Sequence, residues 1–257
     1  MGKFKPKYTI ENLKDGYNFS LSRASFNAFN PSILDLGDIS KDGERIDALA
    51  AIFDLEGFTS FTNQIDPHLV VPEYLSKFLD WLFKSVADEF CQSQQASRVV
   101  LWCKLPFFAK FLGDGVLFLW DTMDLDPIFI GNIVSNLQLV CEDYERSFFP
   151  KTRKSMSRVP LKLRCGVARG QIMSIGDALD FVGPCINVAA RLQKLGKFSF
   201  AFSKRGFELQ KHFTEASQKD YALIKSQIRG LGDEELLFVL KRELEKLPAN
   251  ERKKLLP

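Results

Sequence analysis

This chain predicts an α/β sandwich, one largely antiparallel sheet with helices packed against a face, and three observations carry that expectation. Apolar runs of strand length alternate with longer stretches of helical periodicity. Several neighbouring strands are separated by turn residues alone, as hairpins are. Finally, 46% of the 257 residues are hydrophobic, enough for one large core.

The elements follow in order. From Asp47 to Phe53 the sequence turns apolar as Ala-Leu-Ala-Ala-Ile-Phe, a buried strand ending at Asp54. Gly57-Phe58-Thr59 then opens a short helix. Between Pro72 and Phe90, Tyr74, Phe78, Trp81, Leu82, Val86 and Phe90 recur at spacings of three and four, a greasy stripe on a helix that starts near Pro72. Residues 98–103 and 107–112 read as strands. Gly113-Asp114-Gly115, between Phe111 and the run Val116 to Trp120, reads as a tight hairpin turn. Residues 128–148 have helical periodicity, 161–168 alternate like a strand with one solvated face, and 171–176 form a further short strand. Pro184 to Leu195, with Gly196 beyond its end, is a well-punctuated helix, and strands at 199–202 and 236–240 close the domain.

This organisation divides the chain into an irregular N-terminal arm over residues 1–45, a catalytic domain over 46–241 and a charged tail over 242–257. No internal repeat is visible.

Composition excludes several classes. The five cysteines are scattered and form no Cys-x-x-Cys pair, so neither a disulfide framework nor a zinc knuckle is suggested. His68 and His212 are too few for a histidine-built metal site, so any metal must be a hard one held by oxygen. A net charge of +3 with short basic clusters does not describe a nucleic-acid surface. No apolar window reaches the length of a membrane span and the start lacks a secretory apolar run, so the expectation is a soluble cytoplasmic protein. The 24 phenylalanines call for a heavily aromatic core or a buried subunit interface.

The chemistry gathers on two aspartates. Asp54 lies in Ile52-Phe53-Asp54-Leu55-Glu56-Gly57-Phe58-Thr59 and Asp114 in Phe111-Leu112-Gly113-Asp114-Gly115, each at the end of an apolar strand-like run and next to glycine. Two such carboxylates are what a pair of divalent cations needs to hold a triphosphate. Main-chain donors about Gly57, Phe58 and Thr59 are natural phosphate ligands. Asn187 and Arg191 lie four apart, on one face of a helix, and can enter one pocket.

Four segments in this order resemble the class III nucleotidyl cyclase domain of adenylyl and guanylyl cyclases, from about Asp47 to Leu240. They are Asp54-Leu-Glu-Gly-Phe-Thr59, Lys110-Phe-Leu-Gly-Asp114, Asp180-Phe-Val-Gly183-Pro-Cys-Ile-Asn187-Val-Ala-Ala-Arg191, and Arg229-Gly230, where arginine replaces the more usual lysine. The resemblance implies a mostly antiparallel sheet on a ferredoxin-like core. It implies that Asp54 and Asp114 hold two Mg²⁺ or Mn²⁺ ions, Asn187 orients the ribose, Arg191 stabilises charge on the α-phosphate and Arg229 binds the triphosphate. It also implies a head-to-tail homodimer with two interface sites, in which the aspartates come from one chain and Lys110, Asp180, Asn187, Arg191 and Arg229 from the other.

In that family a lysine and an aspartate at the positions of Lys110 and Asp180 go with ATP. By donor matching the pair argues against guanine more than for adenine: cytosine presents the same pattern, and uracil satisfies the pair with the roles exchanged. Three features depart from ordinary adenylyl cyclases: a short segment from Gly170 to Asp180, Arg169 in place of a small hydroxyl residue, and a long stretch from Glu89 to Pro106. These departures imply a reshaped base pocket. The arm before Asp47 and the runs at 71–82 and 113–120 resemble the bacterial Pycsar pyrimidine cyclases. That likeness implies cyclic UMP, or else cyclic CMP, made upon phage infection and read by a separate effector. ATP is the runner-up substrate. An inactive nucleotide-sensing pseudo-cyclase is the alternative of another class, and a palm-type cyclic-dinucleotide synthase is disfavoured by the Asn187 to Arg191 helix.

Overall fold

The computed structural model describes residues 4–13, 16–156, 158–228 and 232–257. The chain opens with β1 (Thr9–Leu13), β2 (Gly16–Ser20), α1 (Arg23–Asn27) and a 3-10 turn at Pro31–Leu34. β3 (Arg45–Glu56), α2 (Phe58–Thr62) and α3 (Pro67–Phe90) follow, then β4 (Cys91–Gln95), β5 (Arg98–Leu101), β6 (Phe108–Phe111) and β7 (Gly115–Asp121). Next come α4 (Pro127–Asp143), which runs through a π-helical turn at Tyr144–Phe148 into α5 (Phe149–Arg153), and then β8 (Lys162–Ile175), β9 (Asp180–Val182), α6 (Pro184–Leu192) and β10 (Phe200–Ser203). α7 (Leu209–His212), α8 (Glu215–Gln218), β11 (Tyr221–Ile228), β12 (Gly232–Leu240), α9 (Lys241–Glu245) and α10 (Ala249–Leu255) complete it.

Two compact units emerge. The first joins the described residues up to Arg45 with Met173–Val182; the second holds Ile46–Ile172 and Gly183–Pro257. In the second unit the strand order is β11-β12-β10-β8-β3-β7-β6. β10 runs parallel to β8, while β11/β12, β10/β12, β3/β7 and β6/β7 are antiparallel. The sheet is therefore mixed but mostly antiparallel, the α/β architecture expected from the sequence.

β3 is buried from Ala48 to Leu55, which its uninterrupted apolar run dictates. Alternation splits its side chains between faces. Leu49, Ala51, Phe53 and Leu55 join the main core with Tyr74, Phe78, Leu82 and Phe90 of α3 and Ile133, Val134 and Leu137 of α4. A second cluster gathers Leu192, Ala201, Ile224, Leu237, Val239 and Leu244, with Leu247 and Leu255 packed against it, so α6 and the C-terminal helices cover the other face. Many of the phenylalanines go into the main core, where Phe202 alone stacks with or abuts Phe207, Phe213, Tyr221 and Phe238.

Several element boundaries differ from the sequence reading, each for a physical reason. α3 begins at Pro67, whose missing N–H suits a first helical position, and Pro72 lies inside the helix. The segments read as two strands at 161–168 and 171–176 are one strand, β8. Gly170, between them, does not break the strand, and within the first run a Cβ on Gly166 would overlap Ala189 O, so that glycine lets α6 lie directly on the strand. The arm holds a hairpin, β1 on β2, with Thr9 opposite Ser20. Residues 242–257 form two short helices, because Leu244 is buried and Leu247 and Leu255 pack on the second cluster.

Candidate functional site

The pair Asp54 and Asp114 is built by strand register. Asp54 lies opposite Gly115 in the β3/β7 ladder, and Leu55 N donates to Asp114 O at 3.1 Å, so the two acidic motifs are bonded main chain to main chain. The β6/β7 hairpin turns where the sequence places it: Leu112 N donates to Gly115 O at 2.9 Å, and Gly113 has φ +101°, a conformation that suits glycine. Gly115 is required for a different reason. A Cβ there would overlap Phe53 O, so only glycine lets the hairpin come this close to β3.

Asp54 is 7% exposed. Burial pushes its carboxyl above the usual carboxylate value; the hydrogen bond and charge of Arg164 pull it down, the Asp114 charge adds to the upward push, and Lys194 opposes it. Arg164 Nη2 donates to Asp54 Oδ2 at 2.6 Å. The buried Arg164 Nε has no hydrogen-bond partner among the described residues. Sequence reasoning did not single out Arg164. The available signal is its place in Leu161-Lys162-Leu163-Arg164-Cys165: Leu163 and Cys165 point into the core, which leaves one basic side chain on the other face of a buried strand.

Directly after β3 the chain turns at Gly57, with φ 81°, into the short helix that carries Phe58 and Thr59. Phe61 N donates to Gly57 O at 3.0 Å, and the Phe58 and Phe61 rings lie 5.7 Å apart, anchoring the turn to the core. Leu161 N donates to Glu56 O at 3.3 Å, tying the start of β8 to the same strand end. Lys110 is exposed on β6, opposite Leu117.

Asn187 and Arg191 both stand on α6, one turn apart, the first exposed and the second half-buried. Arg169 donates from Nε to Thr122 Oγ1 at 3.1 Å, so its guanidinium is engaged with the start of the loop after β7. In the first unit, half-buried Asp180 opens β9 opposite Ile175, and its Oδ1 accepts from Phe181 N at 2.9 Å. Arg229 and Gly230 lie outside the described residues.

The chemistry of the donor set fits hard divalent cations. Both aspartates offer oxygen only, and among the described residues there is no group of three or more His, Cys, Asp or Glu that could enclose a metal. Two carboxylates suit an ion that completes its shell with water and substrate phosphates, as Mg²⁺ does. All five cysteines are free thiols, four of them buried. No described helix is long and apolar enough to cross a membrane.

No family model matches the chain, and no curated protein matches it. Solved structures do. The adenylyl cyclase CyaB from P. aeruginosa aligns with a TM-score of 0.57 at 15% identity, over 78% of this chain and 96% of that one. The guanylyl cyclase Cya2 aligns with a TM-score of 0.55 at 17% identity, over 78% and 94%. A non-canonical dimeric guanylyl cyclase domain of the RhoGC fusion protein from the aquatic fungus Blastocladiella emersonii aligns with a TM-score of 0.51 at 12% identity, over 77% and 98%. At these identities the likeness establishes the fold, that of class III cyclase catalytic domains.

Proposed function

We propose that this chain is a metal-dependent nucleotidyl cyclase that converts a pyrimidine nucleoside triphosphate, UTP ahead of CTP, to its 3′,5′-cyclic monophosphate and pyrophosphate. The observation that carries the reading is the Asp54/Asp114 pair, held at one strand end by the Asp54–Gly115 register and the Leu55 to Asp114 hydrogen bond. Two divalent cations, Mn²⁺ or Mg²⁺, held there would activate the ribose 3′-oxygen and neutralise the phosphates.

The chain's own residues supply the rest. If Asp54 held a cation, its hold on Arg164 would weaken, and the Arg164 guanidinium, whose buried Nε has no hydrogen-bond partner among the described residues, could answer a phosphate oxygen instead. The Gly57–Thr59 turn presents main-chain donors to the same group. Asn187 would orient the ribose and Arg191 would take charge at the α-phosphate; Arg229 would hold the outer phosphates. Lys110 and Asp180 would read the base. The preference for a pyrimidine rests on the resemblance of the flanking runs, and the relatives in fold are adenylyl and guanylyl cyclases, which act on purines.

A homodimer with two interface sites completes the proposal. Exposed Leu101, Trp102, Leu105, Phe107, Phe111 and Leu112 fall in one short stretch of the second unit, the composition of an association surface rather than of a solvated loop. In the setting proposed, a bacterial cytoplasm, the cyclic product is an anti-phage signal read by a separate effector.

The test is to incubate purified protein with each of the four nucleoside triphosphates and Mn²⁺ and to resolve the products. Cyclic UMP as the main product supports the reading, cyclic AMP replaces the base assignment, and binding without any product would mean a nucleotide sensor instead. Light scattering of the same sample should give twice the chain mass.

A further inference from the structure

β9 is only three residues long, too short for its ladder with β8 to fix register alone. A slip of one residue would turn Asp180 to the opposite face, because strand side chains alternate. The turn that precedes β9 is itself unusual: Gly176 and Ala178 both have positive φ, 62° and 58°, and alanine is disfavoured there. Something else must hold this hairpin.

The N-terminal segment does. Leu36 O accepts from Asp177 N at 3.1 Å, Asp177 Oδ2 accepts from Asp38 N at 3.3 Å, and Lys41 Nζ forms an ion pair with Asp177 Oδ1. Farther along, Glu44 and Ser174 bond twice: Glu44 N donates to Ser174 Oγ at 2.9 Å and Ser174 N to Glu44 O at 3.0 Å. Three glycines permit the approach. A Cβ on Gly37 would overlap the Asp177 carboxylate, one on Gly43 would overlap Ser174 O, and one on Gly176 would overlap Leu36 O. The Asp177 carboxyl is held below its usual value, first by the hydrogen bond from Lys41 and then by Asp38 N.

We propose that residues 36–44 are a clip that fixes the register and turn of the β8/β9 hairpin, and that Lys41 and Asp177 are thereby positioning residues for base recognition by Asp180. This rests on the base-reading role assigned to Asp180 above. Asp177 touches no substrate; it acts by holding the turn three residues ahead of the carboxylate that does.

The experiment uses the full chain with Lys41→Met, Asp177→Asn, the conservative Lys41→Arg and, as a control, Asp180→Ala. The clip predicts that Lys41→Met and Asp177→Asn each raise KM for the preferred nucleotide about fivefold and narrow the preference among the four bases by a similar factor, with kcat little changed. Lys41→Arg should retain both. Equal loss of kcat for every nucleotide with an unchanged base ratio would mean a merely structural contact and would overturn the proposal. If Asp180→Ala alters the base ratio while the Lys41 and Asp177 variants do not, the clip fails and the reading of Asp180 stands. If Asp180→Ala leaves the ratio untouched, that reading fails. Amide hydrogen exchange over residues 173–182 gives a readout independent of catalysis: protection should fall in Lys41→Met, and unchanged protection would refute the clip.

Discussion

Two acidic residues expected at the site are held in place by opposite means. Asp54 lies near the end of the buried part of a twelve-residue strand whose side chains are core on both faces, and its partner Asp114 follows from ladder register. Asp180 begins a three-residue strand, and the hairpin behind it is secured by a segment 130 or more residues away in sequence. The first arrangement cannot shift without unfolding the core. The second can be loosened at the surface, where Lys41 and Asp177 are both exposed. A rigid place for cations and an adjustable place for the base would let chemistry stay fixed while specificity changes.

The largest effect expected is at the rigid end. Asp54→Ala or Asp114→Ala should lower turnover by about 1000-fold or more while the protein remains folded, as each would remove one of the two carboxylates proposed to hold metal. Product formation and circular dichroism on the same preparation check this, and retained turnover would refute the two-metal reading.

Gly115→Ala sharpens the contrast by striking at the register that pairs the aspartates. The new methyl must displace the Phe53 carbonyl within the core ladder, so a loss of roughly 2–4 kcal/mol in denaturant unfolding is expected. An equally stable variant would show that the hairpin can approach β3 in another way.

Arg164→Met should cost about 3 kcal/mol without metal, because it leaves the buried Asp54 carboxylate uncompensated. Added Mn²⁺ should recover part of that loss in a melting experiment, since a cation replaces the missing charge. If metal stabilises the variant no more than the unaltered chain, Asp54 does not bind it.

The smallest effect is at the adjustable end. The folded-state value of Asp177 lies below its ordinary 3.8, so the ionised carboxylate stabilises the clip above that pH, and the contribution is lost as pH falls through the lowered value. Limited proteolysis should therefore leave residues 36–44 intact near neutral pH and begin to cut there below about pH 4, with the second unit still protected. Cleavage independent of pH would remove Asp177 from the account.

Much of the site was legible from residues in order. The apolar run into Asp54, the Gly113-Asp114-Gly115 turn and the Asn187/Arg191 spacing are local patterns, and strand, hairpin and helix form where those patterns put them. Arg164 escaped notice because the local alternation gives only its face, whereas its importance is a contact with a strand 110 residues earlier. The sequence reading divides β8 at Arg169-Gly170, where the alternation is interrupted, but the ladder runs on through it, and Gly166, within the first run, makes room for α6. The arm looked irregular because its polar, turn-rich composition conceals a hairpin and a clip whose partners lie far along the chain.

The sequence by itself determined the alternation of strands and helices, the aromatic core and the places of Asp54 near a strand end and Asp114 in a turn, since periodicity and turn chemistry act over a few residues. Only the tertiary structure decided that Arg164 guards Asp54, that Gly115 and Gly166 serve close approach, and that residues 36–44 fasten the Asp180 hairpin. Those are long-range encounters, settled by which surfaces can approach without steric overlap and which buried charges must be answered, and no local pattern encodes them.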